Sequence, residues 1–91
     1  MMTNKEKRIA ELEEMNGELY KEILLDEVAI FETEKLSAEL DPDISDHPFL
    51  ETRIQMMKDL VLSLENGIRN KKVDIFKNNF EINRLLGQDG N

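Results

Sequence analysis

Between Thr3 and Leu40 the chain runs without proline, and its apolar residues first return at helical steps: Ile9, Leu12, Leu19 and Ile23. A spacing near 3.5 residues lines them along one stripe of an α-helix, which predicts a long first helix over residues 3–40. Thr3 with Glu6 three residues on has the spacing of a capping box, in which side chains satisfy two orphan amides at a helix start. Gly17 is the single interruption, and its cost of about 1 kcal/mol against alanine predicts a kink near Gly17 rather than a stop. From Ile23 onward the apolar residues crowd, with Leu24, Leu25, Val28, Ala29, Ile30 and Phe31 following, so that seven of nine positions are apolar. An amphipathic helix buries only a stripe, whereas this girdle covers most of the circumference. Its expected partners are further copies of the chain.

Asp41-Pro42-Asp43 forces the residue before proline out of helical conformation, which predicts a turn over residues 41–47. Ser45 or Asp46 then offers an N-cap, and Pro48 is acceptable in a first turn. The second helix is expected over residues 48–70, where Leu50, Ile54, Met57, Leu60, Leu64 and Ile68 step by threes and fours in the manner of a coiled-coil seam. Asn66-Gly67 can end that helix or be carried through it. Val73, Phe76 and Phe80, followed by Leu85 and Leu86, predict a short C-terminal helix over residues 72–86, and residues 87–91 are expected to fray. The fold class that results is all-α: a single domain of a long helix, a turn, a second helix and a short third one, assembled into an oligomeric helical bundle.

Composition narrows the function. The chain has no cysteine and no tryptophan, and its longest apolar run, Val28 to Phe31, is far below the ~20 residues of a membrane span. No disulfide, thiolate metal site or membrane partner is expected. No apolar leader follows Met1, so the expected compartment is the cytoplasm. The net charge of −8 argues against a DNA or RNA polymer as ligand, since that affinity depends on Lys and Arg displacing counterions. The charge is uneven: residues 1–46 carry 14 acids and 5 bases, and residues 47–91 carry 6 acids and 7 bases. Arg69, Lys71, Lys72 and Lys77 therefore form the one anion-attracting region.

The catalytic inventory is poor. His47, the sole histidine, lies in the predicted turn and reads as a helix-start residue. Asp41, Asp43 and Asp46 lack the glutamate that closes an EF-hand loop. No enzyme activity, metal or cofactor is expected. Acidic side chains of the first helix alternate with Lys5, Lys7, Arg8, Lys21 and Lys35 in the spacing of intrahelical ion pairs, which speaks against mimicry of DNA. Tyr20, Lys35 and Ser37 carry the sharper alternative. Tyr20 either covers the edge of the girdle or stacks a nucleobase; Lys35 is either solvated or, with Ser37, holds a phosphate. On a straight helix Tyr20 and Lys35 stand roughly 22 Å apart, so a small ligand meeting both requires two chains.

The run from Tyr20 through Lys35-Leu36-Ser37, an acidic turn, and then Leu50, Ile54, Met57, Leu60, Leu64 and Ile68-Arg69 resembles the anti-CBASS protein 2 family of phages. The resemblance covers about residues 16–70. The turn here is longer than the family's, Gly67 falls within the closing motif, and residues 71–91 extend beyond it. The resemblance implies a helical homohexamer that sequesters cyclic di- and trinucleotide immune messengers between protomers without degrading them. It places ligand contacts on Tyr20, Lys35, Ser37 and Arg69, with no catalytic residue. From a different class, the same seam is expected of a helical interaction module that binds a host or phage protein to inhibit it or assist its assembly.

Overall fold

Thr3 starts the first helix. Its extended backbone presents Oγ1 to the amide of Glu6 at 3.1 Å, while the hydroxyl donates to Glu6 Oε1 at 3.2 Å. The return contact of the cap thus ends on the threonine hydroxyl rather than on its amide. In the computed structural model, which describes residues 1–40 and 48–88, helix α1 spans Asn4–Glu39 and helix α2 spans Pro48–Gly87. The predicted turn over residues 41–47 and the caps offered by Ser45 and Asp46 lie outside the described residues, as does His47.

The two helices form one antiparallel hairpin, 70 × 20 × 14 Å. Packing follows a heptad. On α1 the buried and half-buried residues include Ile9, Asn16, Ile23, Ile30 and Ser37 at one seam position (a), and Leu12, Leu19, Asp26 and Thr33 at the other (d). On α2 the first position holds Ile54, Val61, Ile68, Ile75 and Ile82, and the second Leu50, Met57, Leu64, Lys71, Asn78 and Leu85. Within the two helices, every other half-buried residue except Lys5, itself at d, sits at the position just before a: Ala29, Gly67 and Glu81. A two-stranded coiled coil buries its seam and little else, so about half of each helix keeps its outer surface in solvent.

Three expectations are corrected by this register. Leu60 is 49% exposed and Val61 takes its place in the seam, because the heptad continues unbroken from Leu50 to Leu85. The second and third predicted helices are one helix: Gly67 lies inside α2, and no break separates residues 48–70 from 72–86. Ile75 and Ile82, not Val73, Phe76 and Phe80, carry the buried face of that last stretch; the latter three point away from α1. Gly17 likewise lies within continuous α1.

Both glycines are therefore ordinary helix-interior residues whose missing side chains cost backbone entropy. A Cβ at Gly17 meets nothing within 4 Å, and one at Gly67 meets only Asp26 Oδ2 at 4.0 Å. Gly17→Ala and Gly67→Ala are each expected to raise stability by about 0.5–1 kcal/mol, read as a higher thermal midpoint in circular dichroism.

The well-buried core is confined to the half of the hairpin away from the residue 39 and 48 ends. Leu12 and Asn16 are buried there, and Ile23 packs with Ile68 and Ile75 under Leu19 and Ile30. Toward the other end the seam of α1 carries Thr33 and Ser37. Thr33 bonds its hydroxyl back to the Ala29 carbonyl at 2.7 Å, a local bond that removes the need for a partner across the seam.

Candidate functional site

Polar groups inside the seam are the first candidates. Asn16 Nδ2 donates to Asn79 Oδ1 and Asn16 Oδ1 accepts from Asn78 Nδ2, each at 2.9 Å. One level further, Lys71 donates to Asp26 and lies 3.9 Å from Glu22. Both clusters close on themselves. A polar seam residue matched across the partner helix selects alignment at a cost in stability, and these two clusters hold the hairpin in one register. At the free end Arg8 bridges Glu81 at 3.2 Å and Glu11 at 3.3 Å. The hydrogen bonds to Glu81 and then Glu11, with their charges, hold the guanidinium above its ordinary pKa.

Two grooves flank the seam on opposite sides. The first, about 500 Å³, is bounded by Thr33, Glu34, Ser37, Met57, Lys58 and Leu62. It exists because the small side chains of Thr33 and Ser37 oppose Met57 and Val61 and leave the seam underfilled. The second, about 690 Å³, is bounded by Glu14, Met15, Glu18, Glu22, Asp74 and Lys77, an acidic rim that repels an anion. Among the described residues no three histidine, aspartate or glutamate side chains are grouped to hold a metal ion, and no helix is long and apolar enough to cross a membrane.

The four residues singled out in the sequence do not converge within one chain. Tyr20 is 58% exposed, one position after the seam residue Leu19. Lys35 is exposed on the outer face of α1, while Ser37 is half-buried in the first groove. Arg69 is exposed on α2, next to the seam residue Ile68. Tyr20 and Arg69 lie on the same side of the hairpin; Lys35 and Ser37 stand 15 to 17 residues further along α1 than Tyr20. The lysine beside Ser37 is Lys58, which spacing alone did not mark. Its signal was its place directly after Met57 in the seam, which puts it on the rim of the same groove, together with the carboxylates of Glu34 and Glu65.

The hairpin's outer surface is the other candidate. Leu24, Leu25, Val28 and Phe31 of the girdle are exposed, as are Leu62, Val73, Phe76 and Phe80 on α2. Monomeric proteins seldom carry contiguous apolar patches beyond a few hundred Å².

These features define a class, an antiparallel coiled-coil hairpin with polar register locks and apolar outer faces. The chain matches no protein-family model, no curated protein and no solved structure.

Proposed function

We propose that the chain acts by association and not by catalysis: a helical-hairpin interaction module that self-associates and presents the rest of its apolar surface to a host or phage protein. The observation that carries this reading is the row of large apolar side chains turned away from the seam on both helices, headed by Phe31 and Phe76, 68% and 71% exposed. Removing such a row from water is the dominant favourable contribution in most protein association, about 25 cal/mol per Å² of apolar surface. Light scattering at micromolar concentration is expected to give a particle of at least twice the 10.6 kDa chain mass. A 10.6 kDa particle refutes self-association, and failure to recover a stoichiometric protein from host lysate refutes the second half of the reading.

A second reading, the cyclic-oligonucleotide sponge, is favoured by one arrangement: exposed Tyr20 and Arg69 share a side of the hairpin, offering an aromatic face and a guanidinium to a phosphate-bearing base. Because Lys35 and Ser37 are remote from that pair, such a ligand would bridge protomers, as in the homohexameric sponges. Lys35 projects from the outer face, so Lys35→Ala should leave assembly unchanged and weaken ligand by roughly ten- to hundredfold through loss of a charge-assisted bond. Isothermal titration with a panel of cyclic di- and trinucleotides reads this directly, and absence of binding at micromolar concentration removes the sponge.

A further inference from the structure

The two sides of the hairpin differ in how their charges are used. On the side holding the acidic groove, ion pairs close within the chain, with Arg8 on Glu81 and Lys71 reaching Glu22. On the opposite side, Glu27 and Glu34 of α1 and Lys58, Arg69 and Lys72 of α2 form no ion pair among the described residues. These unused charges alternate with exposed apolar side chains at helical steps: Tyr20, Leu24 and Phe31 along α1, Leu62 and Phe76 along α2.

The antiparallel register brings the two apolar rows level with each other. Leu19 and Glu18 share a level with Asp74 and Lys77, so Tyr20 and Phe76 flank one stretch of the hairpin. Thr33 and Glu34 share a level with Val61 and Leu62, which sets Phe31 near Leu62. The α1 row is acidic, whereas the α2 row is mixed, with Lys58, Arg69 and Lys72 against Glu51 and Glu65. Whole helices follow the same sign, with 11 acids and 5 bases on α1 against 5 acids and 7 bases on α2.

Building on the self-association proposed above, we infer that this side is the interface with a second copy of the chain, packed by a two-fold axis parallel to the helices so that α1 of each copy lies on α2 of the other. Both hairpins then have their residue 39 and 48 ends together. Axial levels are preserved by such an axis, so Tyr20 meets Phe76 of the other copy, Phe31 meets Leu62, Glu34 comes within about one turn of Lys58, and Glu27 lies between Glu65 and Lys72. The alternative two-fold, perpendicular to the helices, stacks α1 on α1 and brings the acidic rows of Glu27 and Glu34 together. Like charges placed opposite one another cost association and fix register. The available surface is adequate, since a face 70 Å long and 20 Å wide exceeds the roughly 800 Å² per partner of a standard interface.

Paired charge reversal tests both the face and the arrangement. One variant carries Glu27→Lys and Glu34→Lys, the other Lys58→Glu and Lys72→Glu; all four side chains are exposed, and circular dichroism verifies that each variant remains helical. Sedimentation equilibrium of the parent is expected to give a dimer, each variant alone is expected to dissociate with a dissociation constant raised at least tenfold, and an equimolar mixture is expected to recover dimer. Recovery arises because the reversed positions of one variant then face the reversed positions of the other, and the parent positions face each other. Variants that dimerise as tightly as the parent overturn the choice of face. Loss of dimer in both variants without recovery on mixing overturns the α1-on-α2 arrangement. A parent that sediments as a 10.6 kDa monomer overturns self-association itself and so separates failure of the earlier reading from failure of this one.

Discussion

Leu12→Ala is expected to destabilise the hairpin by about 3 kcal/mol. Leu12 is the most enclosed side chain in the described protein, 1% exposed, and truncating a buried leucine removes its transfer free energy and leaves a cavity, at about 2–5 kcal/mol. In a two-helix hairpin the neighbouring seam residues Ile9 and Asn16 lie on the same rigid helix and cannot collapse into the space, which keeps the cost away from the low end of that range. For a domain of this size each kcal/mol lowers the thermal midpoint by roughly 4–8 °C. A thermal melt followed by circular dichroism is expected to show a fall of about 12–24 °C. A change below about 4 °C would mean that the free end of the hairpin frays in solution and that Leu12 is not enclosed there.

Lys71→Leu is expected to cost about 2 kcal/mol, Asp26→Leu about 1 kcal/mol, and the double substitution less than either. The pair lies half-buried in the seam, with side chains 26% and 20% exposed, so the several kcal/mol lost when a fully buried pair is broken is discounted for residual contact with solvent. The order of the two single variants follows from Glu22. Without Lys71, the Asp26 carboxylate keeps no cation and faces Glu22; without Asp26, Lys71 retains Glu22 at 3.9 Å. Two leucines at these positions complete an apolar seam and remove both charges together. Urea denaturation of all four proteins gives the coupling directly, and a double variant less stable than Lys71→Leu would refute this account. The double variant is also expected to lose one of its two register locks, leaving Asn16 with Asn78 and Asn79 to set alignment.

The all-helical class was legible in the chain because hydrophobic period is a local property. Ile9, Leu12, Leu19 and Ile23 repeat at helical spacing whatever they pack against, and Thr3 with Glu6 marks a helix start by chemistry confined to one turn. The exposed girdle was legible for the same reason: no single stripe can bury seven apolar residues in nine, and Leu24, Leu25, Val28 and Phe31 accordingly stand outside the seam. Candidate ligand residues were legible only as types. The spacing of Tyr20 and Lys35 along one helix already sets them roughly 22 Å apart, whereas nothing along the chain revealed that Arg69 shares a side of the hairpin with Tyr20.

What the tertiary structure decided was the choice between two apolar rows on the same helix. Leu60 and Val61 are adjacent, and Ile75 and Phe76 are adjacent, so local pattern favours neither. Val61 and Ile75 are the buried members because the partner helix requires one seam to continue without slip from Leu50 to Leu85. Gly67 is carried through for the same reason: packing of Ile68 and Ile75 against Ile23 outweighs the roughly 1 kcal/mol that a glycine costs a helix interior. The matching of Asn16 to Asn78 and Asn79, and of Asp26 to Lys71, is likewise invisible along the chain. Each of these groups reads as an ordinary surface polar residue until the antiparallel fold brings together partners 45 to 63 positions apart, where the cost of an unpaired buried polar group leaves a single alignment.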